Sequence, residues 1–145
     1  RIIRELINFE PDHRTTNISV ALEYFANAIK RRSTAFIISD FMDTGFEKGL
    51  RSAQSRHDLI ALKVQDPGEE TLPAVGLLKV RDAETGQEIW VDTSSKRVRE
   101  AYKKSWLKAD HELQDLFRKT GTDFTRLRTD RPYIQPLMGL FKRRE

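Results

Sequence analysis

Cysteine is absent from this chain, which rules out disulfides, thiol catalysis and cysteine-ligated metals among these residues. Glycine-rich phosphate loops are missing as well: neither a Walker pattern nor Gly-x-Gly-x-x-Gly occurs, and no serine stands in Gly-x-Ser-x-Gly. No apolar run approaches the roughly 20 residues that cross a bilayer, and no signal peptide is present. A cytoplasmic protein is the expectation. An excess of one charge is lacking too, because 26 basic residues face 22 acidic ones for a net +4. That balance describes a mixed, soluble surface rather than a nucleic-acid polycation. Internal repeats and low-complexity segments are not found. The chain opens on Arg1 rather than methionine, which leads to the expectation of a longer parent protein.

What remains is one domain's length, 145 residues, with room for a core. The organising stretch is Ser33 to Phe41. Ala35-Phe36-Ile37-Ile38 is an unbroken apolar run with two β-branched residues, the pattern of a central parallel strand buried on both faces. It stops at Ser39-Asp40, and in open α/β sheets ligands gather beyond the carboxyl ends of strands. Leu59 to Val64 forms a second such run, separated from the first by a helical stretch with Phe46, Leu50 and Ala53 on one face. Strand, helix, strand predicts parallel strands with a right-handed crossover.

Upstream, Ile2, Ile3, Leu6 and Ile7 share a helical face in residues 1–9, and Pro11 ends it. Thr16 or Asn17 suits the N-cap of a second helix with Ile18, Leu22, Phe25 and Ile29 inward. Thr44-Gly45-Phe46-Glu47 reads as a capping box for the third helix. Residues 76–92 read as a β-hairpin around Ala83-Glu84-Thr85-Gly86, with Ile89 and Val91 facing one way and Trp90 the other. Ser94 or Ser95 opens a long helix to about Thr120, with Val98, Tyr102, Ala109, Leu113 and Leu116 inward and Gly121 ending it. Residues 123–129 predict a third parallel strand. Asp130 then caps a last helix with Ile134, Leu137, Met138 and Phe141 inward.

Asp40 and Asp43 are the strongest chemical pair, with Thr15 and Thr16 on the neighbouring loop. Hydroxyl and carboxylate oxygens at adjoining strand ends suit Mg²⁺, although every one of these residues is also a helix-capping type. His13, His57 and His111 are scattered without ligand-spaced companions. The basic clusters Lys30-Arg31-Arg32 and Lys142-Arg143-Arg144 stand where cations favour helix ends. Trp90 and Trp106 read as core or interface residues.

Thr16-Asn17-Ile18, Phe36-Ile37-Ile38-Ser39-Asp40-Phe41, His57 to Leu62, Asp82 to Gly86 and Val91-Asp92-Thr93 together resemble the bacterial family called domain of unknown function fifty-eight. The resemblance runs from about residue 1 to 144. It implies the C-terminal half of a Rossmann-like von Willebrand factor A domain, a partial three-layer α/β sandwich with strands at 34–40, 58–65 and 123–129 and an inserted hairpin at 76–92. It further implies a metal-ion-dependent adhesion site, to which Thr16 and Asp40 match two ligands. The family's Asp-x-Ser-x-Ser loop has no counterpart here, and Asn17 stands where the family commonly has aspartate. No tightly bound cofactor is therefore expected in this chain, with Mg²⁺ reserved for the full-length protein. The implied function is a non-enzymatic protein-interaction or adaptor module, working with a MoxR-type AAA+ ATPase encoded nearby. Partner contact is expected on the face holding Thr15, Thr16, Asp40 and Asp43. The missing neighbour strand leaves Phe36, Ile37 and Ile38 on an open edge, which predicts self-association. Two alternatives stay open: a nucleic-acid-binding domain, favoured by the sequence pI of about 9.5, and a metal-dependent phosphoryl enzyme using Asp40 and Asp43.

Overall fold

The structure is a computed structural model that describes residues 2–9, 16–81 and 86–145. In chain order it comprises α1 (Ile2–Asn8), α2 (Ile18–Ala28), β1 (Thr34–Ser39), α3 (Glu47–Arg56), β2 (Asp58–Gln65), β3 (Leu77–Arg81), β4 (Glu88–Asp92), α4 (Lys96–Thr120), β5 (Asp123–Arg128) and α5 (Ile134–Lys142). A short 3₁₀ turn, Pro67–Glu69, follows β2.

The main sheet has the order β1-β2-β5 and is parallel throughout, a mixed α/β arrangement compatible with a Rossmann-like fold. β2 is central, and its side chains divide the core by strand alternation. Leu59 and Ala61 pack with Ile18 and Leu22 of α2, Phe46 just before α3, Leu50 and Ala53 of α3, and Phe117 of α4. Ile60 and Leu62 turn to the other face, where Leu140 and the half-buried Leu137 of α5 and Leu127 of β5 meet them. β3 and β4 form a separate antiparallel ribbon, with Ile89 opposite Val80 and Trp90 opposite Lys79.

Several expectations need correction. β1 stands at the edge of the sheet, as the missing neighbour strand implies, but it is not buried on both faces: Phe36 and Ile38 are 47% and 65% exposed. α3 begins after Phe46 with no side-chain cap. The Thr44 capping box does not form, because the Thr44 amide is held by Asp43 Oδ1 at 2.7 Å and Gly45 turns the chain at φ 82°. Asp130 does not cap α5: its carboxylate pairs with Arg128 at 2.9 and 3.1 Å, and Tyr133 holds the N-cap position. Ile134, Met138 and Phe141 are exposed, and α5 instead buries Leu140. α4 packs Leu113 and Leu116 against the core as expected, but it also buries Asp110 and Phe117, while Tyr102 and Ala109 are exposed. α2 ends at Ala28, which leaves Ile29 as its C-cap and the Lys30–Arg32 cluster beyond the helix. Gly121 ends α4 in the left-handed conformation, φ 69°. In α1, Ile3 and Ile7 are exposed.

Candidate functional site

The carboxyl end of β1 lies beside the N-terminus of α2, with Ser39 lining the same groove as Thr16 and Asn17. Ser39 Oγ accepts the Phe41 amide at 3.0 Å, and Asp40 Oδ1 accepts the Met42 amide at 3.1 Å, two side-chain turns that end the strand. Between them Phe41 is held at φ 57°, a conformation that strains a residue bearing a Cβ by about 1–2 kcal/mol. Its ring is buried against Phe117, edge-on at 5.1 Å, and against Phe46 at 6.0 Å. Core packing thus overdetermines a strained backbone at a strand end, a recurrent feature of functional loops. The consequence is that Asp40 and Met42 both face solvent on either side of the buried ring.

Asp43 has a different task. Its Oδ2 accepts the Ile18 amide at 2.7 Å and its Oδ1 accepts the Thr44 amide. Its carboxylate therefore caps α2 from 25 residues away, beside the positive end of the helix dipole. Asn17 supplies the local cap, accepting the Val20 amide at 3.0 Å. Thr16 is exposed and lines, with Asn17, Ser39 and the apolar residues of β1, a groove of about 380 Å³ along the β1 edge. Thr16, Asp40 and Asp43 are thus gathered on one rim, while Thr15 lies outside the described residues.

Among the described residues, no three His, Cys, Asp or Glu side chains come together as a metal cluster. Two oxygen donors, Thr16 and Asp40, fall short of what a tightly held divalent ion needs. Of the histidines, His57 is buried against the Phe25 ring at 4.5 Å, a packing role. His111 lies near Asp115 on an exposed turn of α4, and His13 lies outside the described residues.

A polar centre that the sequence reading missed lies behind this rim. Lys63 sits on β2 opposite Ser39 and Arg126, and its side chain is only 7% exposed. Its Nζ donates to Asp110 Oδ1 at 3.0 Å and lies 5.3 Å from the centre of the Trp106 ring. Asp110 Oδ2 also receives Gln114 at 2.8 Å and the Arg126 guanidinium. The network ties α4 to the sheet under a pocket of about 210 Å³ lined by Phe41, Met42 and Trp106. A lysine inside an apolar strand run was the available signal, since lysine is rarely buried without a partner.

The parallel sheet, the covering helices and the strand-end rim define an α/β domain with its candidate site at the carboxyl ends of the strands. The chain belongs to the family described as protein of unknown function DUF58, whose model matches residues 1–112. It is 29% identical over 131 residues to an uncharacterized protein of Mycobacterium avium, covering 88% of this chain and 76% of that protein. It is likewise 29% identical over 125 residues to uncharacterized proteins of Mycobacterium bovis and Mycobacterium tuberculosis, covering 84% of this chain but 38% of theirs. This chain therefore spans well under half the length of those longer relatives. No solved structure matches. No helix among the described residues is long and apolar enough to cross a membrane.

Proposed function

We propose that this chain is a non-enzymatic interaction module, a von Willebrand factor A-like domain whose partner docks on the rim of Thr16, Asp40 and Met42. The observation that carries the reading is Phe41, whose strained backbone is locked by the core and displays Asp40 and Met42 outward at a strand end. Asp43 supports the same rim by fixing α2, and both of its carboxylate oxygens are engaged there. That engagement weighs against a phosphoryl enzyme built on Asp40 and Asp43 as a pair. In the full-length protein, Asp40 and Thr16 would contribute to a Mg²⁺ site, where the ion would supply a charged docking point for a partner carboxylate. The partner this reading favours is a MoxR-type AAA+ ATPase in the cytoplasm, on the strength of the family resemblance. The uncharged β1 edge supports self-association of the isolated chain as well.

Binding between the protein and a MoxR-type AAA+ ATPase tests the reading. Asp40→Ala is expected to weaken that binding about tenfold, or roughly 1.4 kcal/mol, with an unchanged circular dichroism spectrum. Binding that is indifferent to Asp40→Ala would place the partner elsewhere.

A further inference from the structure

We infer that the β3–β4 ribbon and the first half of α4 form a second docking surface, built for an acidic protein segment with apolar side chains among its carboxylates. Charge points there first. From Lys96 to Lys108 the helix carries Lys96, Arg97, Arg99, Lys103, Lys104 and Lys108 against Glu100 alone, a local +5. The whole chain carries only +4, so everything outside this half-helix nets to −1. The positive excess of the protein is thus concentrated on one stretch.

Most of that charge is available. Arg99 is turned inward, its Nη1 donating to the carbonyls of Thr93 and Ser94 at 2.6 and 2.8 Å. Lys96 and Lys108 have only loose, exposed glutamate neighbours at 3.6 and 3.8 Å, pairs of little energetic weight. Arg97, Lys103 and Lys104 are exposed and meet no carboxylate among the described residues.

The ribbon joins this helix through a rigid mount. Thr93 is fully buried. Its amide and hydroxyl both donate to the Gly76 carbonyl at 2.7 Å, and its oxygen accepts the Val75 amide at 3.1 Å. β4 ends at Asp92 and α4 begins at Lys96, so only three residues of chain, anchored by Thr93, separate the ribbon from the cationic helix. Beyond the mount the ribbon is open: by strand register Leu77 and Trp90 share one face with Lys79, and they are 65% and 64% exposed. A two-stranded ribbon is marginal alone in water, and exposed apolar side chains on one face mark interfaces.

The two features together select the occupant. Phosphates would satisfy the lysines, but nucleic acid offers the aliphatic side chain of Leu77, on the Trp90 face, nothing comparable. Trp90 is a poor base platform because the Lys79 ammonium lies 5.9 Å from its ring centre, on a side chain also paired with Glu88. A carboxylate-rich protein segment with leucine or phenylalanine anchors answers both the charge and the apolar surface.

The test is amide-shift mapping of the ¹⁵N-labelled 145-residue chain with a synthetic peptide alternating Glu and Asp with Leu and Phe. An all-Glu/Asp peptide and a duplex DNA are titrated at the same salt. Shifts are expected in residues 77–81, 88–92 and 96–108. A Lys103→Glu/Lys104→Glu variant and, separately, Trp90→Ala should each weaken the apolar-acidic peptide about tenfold, near 1.4 kcal/mol. Asp40→Ala should leave it unchanged, which separates this surface from the strand-end rim. Shifts confined to Lys142–Arg144 or to the Asp40 rim would overturn the inference. So would equal binding of the all-acidic peptide, or tighter binding of DNA that ignores Trp90→Ala.

Discussion

Lys63 and Asp110 are a lysine and an aspartate enclosed by an otherwise apolar sheet–helix interface, each side chain 7% exposed. Removing one partner strands the other, which costs about 3–5 kcal/mol for a buried pair. Asp110→Ala should therefore lower chemical-denaturation stability by about that amount, whereas Lys63→Met with Asp110→Leu should recover most of the loss. A double variant as unstable as the single would show that Arg126 and Gln114, not Lys63, need the carboxylate. The sequence displayed Lys63 inside an apolar run but gave no hint of its partner, because Asp110 is one of many charges on α4 and the pairing spans 47 residues. Surface carboxylates titrate more simply. Hydrogen bonding and the charge of Arg144 hold Asp58 below its ordinary 3.8, the Arg128 guanidinium does the same for Asp130, and hydrogen bonds from Ser94 do so for Asp92. A depressed folded pKa contributes stability that is present above the unfolded value and lost as pH falls through the folded one. Melting temperature should thus fall below about pH 3.8, and Arg144→Ala should flatten part of that fall.

At the scale of elements, the strands were the most legible. β1, β2 and β5 fall within a residue of their expected limits, β1 and β2 because short apolar runs bounded by polar residues have few other readings. Helix starts were less legible apart from the Asn17 cap of α2, since α3 and α5 begin without a side-chain cap and α2 takes a second cap from afar. Asp43 reads locally as a cap for α3, yet it caps α2 across 25 residues, a contact that only the fold creates. Asp43→Ala should cost about 1 kcal/mol in denaturation experiments and loosen α2, raising amide exchange at Ile18. An unchanged exchange rate there would remove its capping role. Of the candidate site, Thr16 and Asp40 were legible, while the strained Phe41 that presents Asp40 was not, since its left-handed backbone rests on contacts with Phe46 and Phe117. With two such oxygen donors, micromolar Mg²⁺ or Mn²⁺ should leave the melting temperature of this chain unchanged. A clear rise would mean that the site is complete without the family's Asp-x-Ser-x-Ser loop.

For the molecule as a whole, the two edges of the main sheet differ. β5 carries Asp123, Arg126 and Arg128, the kind of charges that guard an edge against pairing. β1, Thr-Ala-Phe-Ile-Ile-Ser, carries none. Apolar surface flanks it on both sides: the groove shared with Ile18, Ala21 and Phe25 on one face, and exposed Ile38 and Phe36, the latter with its ring 6.4 Å from that of Phe141, on the other. An added strand with apolar residues on both faces would fit this edge, and β1 of a second copy is itself such a strand. The account of this chain as an interaction module with an unguarded edge therefore predicts a two-fold dimer. Light scattering of the isolated chain across micromolar concentrations is the direct measurement. Twice the monomer mass, lost on replacing Ile38 with lysine, is the predicted result; a monomer that persists at every concentration would contradict it.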